Sequence, residues 1–213
     1  MDACCESKSE ELSQIRVKHK NVLTAVLIIN AVLFLIEGAA GLLANSTALL
    51  ADSLDMLGDS LVYGFSLYVL WRSAQWKALA AIVKGVVMAL FGVGVVIEAA
   101  YKICAGVVPT AETMGFIGIL VLTGNAVCFF LLYRYRSDDL NMRSTWLCSR
   151  NDIIGNAAVL AAAAGVAFTG SLWPDVVVGG AIAVLFLHTS WTVLDEAVRE
   201  YNGTRHVRID AMS

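Results

Sequence analysis

Residues 49–70 read LLADSLDMLGDSLVYGFSLYVL, an apolar run that carries three aspartates, Asp52, Asp55 and Asp59. Its length fits one crossing of a bilayer's hydrocarbon core, which takes about 20 helical residues. A charged side chain at the centre of that core costs at least roughly 2.5–3.5 kcal/mol, so three acids on one span require a compensating partner. Asp55 and Asp59 are four residues apart and Asp52 precedes Asp55 by three, which places all three on one helix face. Carboxylates one turn apart in a dry setting repel unless a cation or protons lie between them. An intramembrane site for a divalent metal is the simplest reading of this stretch.

The rest of the chain has the same character. Of its 213 residues, 58% are hydrophobic and only 15% charged, with a mean hydropathy of +0.72. A soluble domain carries nearer to about 25% charged residues. Apolar runs lie at about 21–44, 48–71, 77–103, 113–135, 144–168 and 174–196. They predict an all-α membrane protein of six transmembrane helices. Pro109 falls between runs, and Pro174 opens the sixth, where a helix tolerates it. The expected organisation is an N-terminal tail at 1–20, a six-helix transmembrane domain at 21–199 and a short tail at 200–213.

Lys and Arg set the orientation. Arg16, Lys18 and Lys20 precede the first run, and Arg72 and Lys77 lie between the second and third. Arg134, Arg136 and Arg143 lie between the fourth and fifth, and Arg199, Arg205 and Arg208 follow the sixth. The alternate loops carry almost none, with Lys102 the exception. The positive-inside bias then predicts that both termini are cytoplasmic. The N-terminal segment lacks the short apolar core and small-residue cleavage site of a signal peptide. A net charge of −3 without a basic stripe gives no nucleic-acid footprint.

The remaining ionisable residues inside the runs are Glu37, Lys84, Glu98, Arg150 and Asp152. In the fifth run Cys148 and Asp152 are four apart, repeating the spacing of Asp55 and Asp59. Two helices that each offer an i, i+4 pair of anionic ligands can close a four-coordinate site. Zinc and cadmium accept tetrahedral geometry with thiolate and carboxylate ligands. Asp59 falls near the middle of the second span, and Cys148 and Asp152 fall in the cytoplasmic half of the fifth, so the pairs can meet near the midplane.

The competing structural reading pairs Asp55 and Asp59 with Lys84 or Arg150, but two acids on one face need more than one base. Arg150 lies two residues from both Cys148 and Asp152 and so points away from their face. Lys84 is the better charge-balancing partner. Asp52 reads as a residue behind the ligands or along a wet approach to them. Glu37 and Glu98, toward the outer ends of their spans, read as exit-side or snorkelling groups. His188, Cys104 and Cys128 read as packing residues. Cys4 and Cys5 are adjacent in the tail, and the five cysteines show no disulfide framework.

The segment from Asn30 to Ser60, NAVLFLIEGAAGLLANSTALLADSLDMLGDS, resembles the first two spans of the cation diffusion facilitator family. That family has a pattern like N-S-x-A-L-L-A-D-x-x-[HD]-M-L-x-D. Asn45, Ser46, Ala48, Leu49, Leu50, Ala51 and Asp52 match its lead-in, Asp55 falls at the His/Asp ligand and Asp59 at the following Asp ligand. The family's fifth-span H-x-x-x-D is here C-x-x-x-D, with Cys148 in place of the His and Asp152 matching. Pro174 and Asp175 open the sixth span in a similar way. The resemblance covers about residues 20–199 and implies a homodimeric six-helix exporter of divalent metals, most often zinc or cadmium, in exchange for protons.

Two departures matter. Family members usually carry a cytoplasmic ferredoxin-like domain after the sixth span, whereas this sequence reads as a short form ending in EAVREYNGTRHVRIDAMS. A dimer is then expected through the membrane helices or lipid. Cys148 also makes the site softer, which raises cadmium relative to cobalt or manganese.

The function expected is proton antiport of Zn2+ or Cd2+, as transported substrate, through Asp55, Asp59, Cys148 and Asp152. Metal ligands must be deprotonated to bind, so metal and protons compete for the same atoms. The expected partners are metal ions, protons, the lipid bilayer and a second copy, and the expected location is a cell membrane, in a bacterium the inner one. No prosthetic group is expected. The alternatives are a membrane metal sensor or accessory protein without transport, and a proton-coupled exporter of organic cations, for which Tyr63, Phe65 and Tyr68 give thin support. An enzyme is not expected, because the chain shows no nucleophile–base pair and no Gly-rich phosphate loop.

Overall fold

In a computed structural model, the described residues form six helices and no strand: α1 (Ala3–Ala44), α2 (Thr47–Tyr68), α3 (Ala74–Ala105), α4 (Ala111–Tyr133), α5 (Leu140–Thr169) and α6 (Trp173–Asp210). The structure describes the backbone of residues 3–68, 74–135 and 140–210, and most side chains within 21–61, 81–135 and 149–199. Each apolar run of the sequence forms the body of one helix, so the protein is an all-α membrane protein.

Among the described residues, five stretches are long and apolar enough to cross a membrane: Asn21–Ala44, Ala81–Ala105, Ala111–Tyr133, Asp152–Thr169 and Trp173–Arg199. The missing member is α2. Its 22 residues rise about 33 Å, sufficient for a crossing. Its three aspartates remove it from the apolar set, and it compensates by position. It packs on α1, α3, α5 and α6. Apolar side chains on the outer faces, such as Leu43, Phe130, Phe168 and Trp191, are exposed, as expected where the solvent is lipid.

Four helices, α1, α2, α5 and α4, contact one another in a ring, and α3 pairs along its length with α6. Small residues permit that pairing. Gly85 and Gly92 on α3 receive Leu194 and Leu187 of α6, and the Ser190 hydroxyl donates to the Gly85 carbonyl at 2.7 Å. Such close approach is the usual means of helix association in lipid. An apolar groove of about 590 Å³ lies over α2 between α1 and α3, bridged by an edge contact of Phe34 and Phe91.

The α1–α2 turn is tight because Asn45 takes a left-handed conformation, φ 53°. Its N–H donates to the Leu42 carbonyl at 3.3 Å and that of Ser46 to the Gly41 carbonyl at 2.9 Å, the Schellman closure of a helix. Gly106 and Gly170 end α3 and α5 with positive φ at the same end of the bundle.

The first turn of α2 begins inside this end, and the four free N–H groups, of Ser46 to Leu49, all find acceptors, that of Ser46 in the Gly41 carbonyl. Thr47 N–H donates to Asp175 Oδ2 at 2.8 Å and Ala48 N–H to Asp175 Oδ1 at 3.0 Å. Leu49 N–H donates to Ser46 Oγ at 3.1 Å, and Leu50 N–H to the Ser46 carbonyl at 3.2 Å. The Ser46 hydroxyl donates to Asp175 Oδ1 at 2.6 Å. Asp175 comes from the first turn of α6, so one buried carboxylate serves the positive ends of two helices. Gly179 makes the approach close enough, since a Cβ there would lie 2.5 Å from the Thr47 carbonyl carbon.

Replacing Asp175 by Ala strands two buried N–H groups, each worth about 1–3 kcal/mol. Asp175→Ala is expected to lower stability by about 2–4 kcal/mol in equilibrium unfolding from mixed micelles, and Asp175→Asn by less. Unchanged unfolding of Asp175→Ala would remove this cap from the account of α2.

Candidate metal centre

The acid row of α2 faces α5 and α1. Gly155 on α5 marks the approach: a Cβ built there would lie 2.8 Å from Asp52 Oδ1 and 4.0 Å from Asp55 Oδ2. Gly155 is three residues after Asp152, one turn along the same face. Asp152 is within electrostatic reach of Asp59, Asp55 and Asp52, so the acids of α2 and α5 share one interior space. Asp55, Asp59 and Asp152 are half-buried, while Asp52 is only 1% exposed.

Among the described residues, no three His, Cys, Asp or Glu side chains converge tightly enough to hold a metal as they stand. Cys148 lies on α5 and Lys84 on α3, but both side chains fall outside the described residues. The i, i+4 register of Cys148 and Asp152 is kept by the unbroken helix. Arg150 is exposed, in line with its place off the Cys148–Asp152 face.

Two residues expected to snorkel do not. Glu37 is fully buried, because α1 packs on α2 through this face, with Gly38 against Ser53 and Gly41 against Leu50. Its carboxyl group lies beside that of Asp52. Glu98 instead forms a 2.6 Å ion pair with Lys102 and accepts a 3.4 Å hydrogen bond from the Thr47 hydroxyl. Lys102 also donates to Thr47 Oγ1 at 3.2 Å and is 1% exposed. The one Lys that broke the loop charge bias is therefore an internal brace for α2. His188, expected as a packing residue, is exposed on α6. Cys128 is buried as expected, yet it lies within electrostatic reach of Asp152 and Asp59.

Uncharged amides in the spans escaped the sequence reading. Asn30 on α1, Asn125 on α4 and Asn156 on α5 are each buried. Asn30 Nδ2 donates to the Val26 carbonyl at 3.0 Å and contacts Cys128 Sγ at 4.0 Å, and Asn156 Nδ2 donates to the Asp152 carbonyl at 2.7 Å. Asn30 Oδ1, Asn156 Oδ1 and both polar atoms of Asn125 have no partner within the protein. Neither do both Glu37 oxygens and Asp52 Oδ2. Buried polar atoms are almost always satisfied, by water or an ion where protein supplies nothing. Every helix of the ring contributes at least one such atom, so the ring's interior is chemically suited to water and cations. The available signal was Asn156 four residues after Asp152, and Asn125 on the buried face of α4 that also carries Cys128.

The chain is 27% identical over 123 residues to the zinc transporter ZitB of Yersinia pestis, a match covering 57% of this chain and 39% of that protein. The chain thus spans about two-fifths of the length of that relative. Residues 23–200 match the family described as the cation efflux transmembrane domain. With six helices in a membrane fold, an acid row enclosed by them and most of its length matched, the chain belongs to the cation efflux family.

Proposed function

We propose that this protein carries a divalent metal ion, zinc or cadmium, across a cell membrane in exchange for protons. The substrate site consists of Asp55 and Asp59 of α2 with Cys148 and Asp152 of α5. The observation that carries this reading is that Asp152 of α5 lies within electrostatic reach of both Asp55 and Asp59 on the neighbouring α2. A dication offsets the repulsion of such a group, and the i, i+4 pairs suit a tetrahedral metal. The Yersinia relative is a zinc transporter, which favours zinc. Cys148 favours a softer ion, which brings in cadmium beside zinc.

Metal enters from the cytoplasmic side, where both termini lie, and displaces protons from the four ligands. The transport unit is residues 21–199, with tails at 1–20 and 200–213, and it works as a homodimer joined through membrane helices. Asp52, one turn from Asp55 toward the stitched outer end, shapes the route out, and Lys84 of α3 balances charge. Protons from the outer side then replace the metal. Because ligands bind only when deprotonated, apparent metal affinity falls as pH falls.

In proteoliposomes Asp59→Asn is expected to stop zinc- or cadmium-driven proton movement, and in calorimetry to weaken binding by about 100-fold or more. Undiminished exchange would sink the assignment. Cys148→His is expected to shift preference from cadmium toward zinc, and an unmoved preference would remove Cys148 from the ligand set. Gly155→Ala forces Asp52 or α5 to move while leaving Asp55 at ordinary contact distance. It is expected to slow transport roughly tenfold or more, and to disturb zinc binding less. Unaltered flux would show that the Asp52 contact with α5 has no part in transport.

A further inference from the structure

Glu37 is the buried charge that the metal site leaves unused. It is 0% exposed, sits in the middle of a packed interface, and neither carboxyl oxygen has a donor from the protein. Its neighbour Asp52 is 1% exposed and has Oδ2 in the same condition. Gly38, next to Glu37, packs against Ser53, next to Asp52, so α1 and α2 hold the two carboxyl groups beside each other. Two ionised carboxylates offer only acceptors, so neither can satisfy the other unless one of them holds a proton. An isolated ionised carboxylate in this setting is very costly, and two in contact more so. The bare Cα of Gly155 leaves the space that Asp52 Oδ1 fills, which keeps the pair in place from the α5 side.

The charged surroundings leave no other solution among the described residues. From α2, Asp55 faces the pair, and from α5, Asp152 lies within reach of Asp52. From α3, Lys102 is committed to Glu98 at 2.6 Å. From α6, Asp175 is committed to the first turn of α2. The described face of α4 in the ring supplies Asn125 and the Cys128 thiol, and no base.

We propose that Glu37 and Asp52 form a proton-holding carboxyl pair, distinct from the metal ligands, that releases its proton when metal binds one turn away. The driving force is electrostatic. A dication among Asp55, Asp59 and Asp152 lowers the negative potential at the pair and favours its ionised form. One O–H bond breaks and the proton passes to water in the ring, and departure of the metal restores it. Protons are then coupled to metal by field as well as by competition for ligands. This proposal rests on the metal–proton exchange reading above.

The test is zinc calorimetry on the purified full chain in buffers of different ionisation enthalpy, which counts protons released per metal bound. Glu37→Gln replaces the pair by an amide that needs no proton, and is expected to release about one proton fewer per zinc than the parent. Difference infrared spectra of the metal-free protein are expected to show a protonated-carboxyl carbonyl stretch that Glu37→Gln removes. Asp52→Asn is expected to give the same two results, and serves if Glu37→Gln fails to fold. An unchanged proton count together with an unchanged carbonyl band would overturn the pair. If the parent binds zinc without proton release, the exchange reading fails, and the infrared band still decides whether the pair holds a proton.

Discussion

A bilayer supplies no hydrogen bonds, so every polar atom that enters it must be satisfied from within the protein. The chain places this constraint chiefly on α2, which carries three acids and starts with four free N–H groups at a buried turn. Asp175, Ser46 and the Ser46 carbonyl close that turn, and Lys102 and Glu98 brace Thr47 from α3. The outer end of α2 is thereby tied to both members of the α3–α6 pair. The acid row behind that end takes its depth and rotation from these bonds, because a helix held at its first turn carries its later residues with it.

Further along α2 the constraint changes character. The N-terminal turn is fully satisfied, whereas the interior of the ring leaves polar atoms of Glu37, Asp52, Asn30, Asn125 and Asn156 without protein partners. A stable core would fill such positions with apolar groups, since buried polar atoms without partners are destabilising. Their concentration beside Asp55, Asp59 and Asp152 fits an interior through which cations and protons pass. The proposed site and the proposed carboxyl pair lie in succession along it, and a cation held in the first offsets negative charge on the second.

The two halves of the fold divide the labour. The α3–α6 pair is close-packed through Gly85, Gly92 and Ser190 and supplies the anchor. The ring of α1, α2, α4 and α5 supplies the acids. α1 and α3 are separated over α2 by a groove lined largely with apolar side chains, so the ring and the pair meet mainly through α2 and α5 with α6. At that junction α2 shares a hydrophobic core with the pair, Ala51 and Leu54 packing with Met88 and Val95 of α3 and Ala183 and Phe186 of α6.

Hydropathy alone located the six helices, because membrane insertion is a local test applied to each stretch of about 20 residues, but not all their limits, since α1 begins at Ala3 and α6 runs to Asp210, beyond the apolar runs. Helical period alone placed Asp52, Asp55 and Asp59 on one face and Cys148 with Asp152 on another, because a 3.6-residue turn is the same in any helix. Contacts between helices lay beyond that reach. Glu37 read as a snorkelling group because its position near a span end was visible and its packing against Ser53 and Asp52 was not. Lys102 read as a loop charge because Glu98 was visible four residues away, but Thr47, 55 residues distant, was not. Asp175 read as a family trait, while its capping of Thr47 and Ala48, 128 and 127 residues away, belongs to the fold. Asn30, Asn125 and Asn156 carry no charge to draw notice, and only packing shows that their amide oxygens face no donor. In each case the deciding quantity is which atoms of separate helices come within hydrogen-bond distance, and that is set by packing in three dimensions, not by the order of residues along one helix.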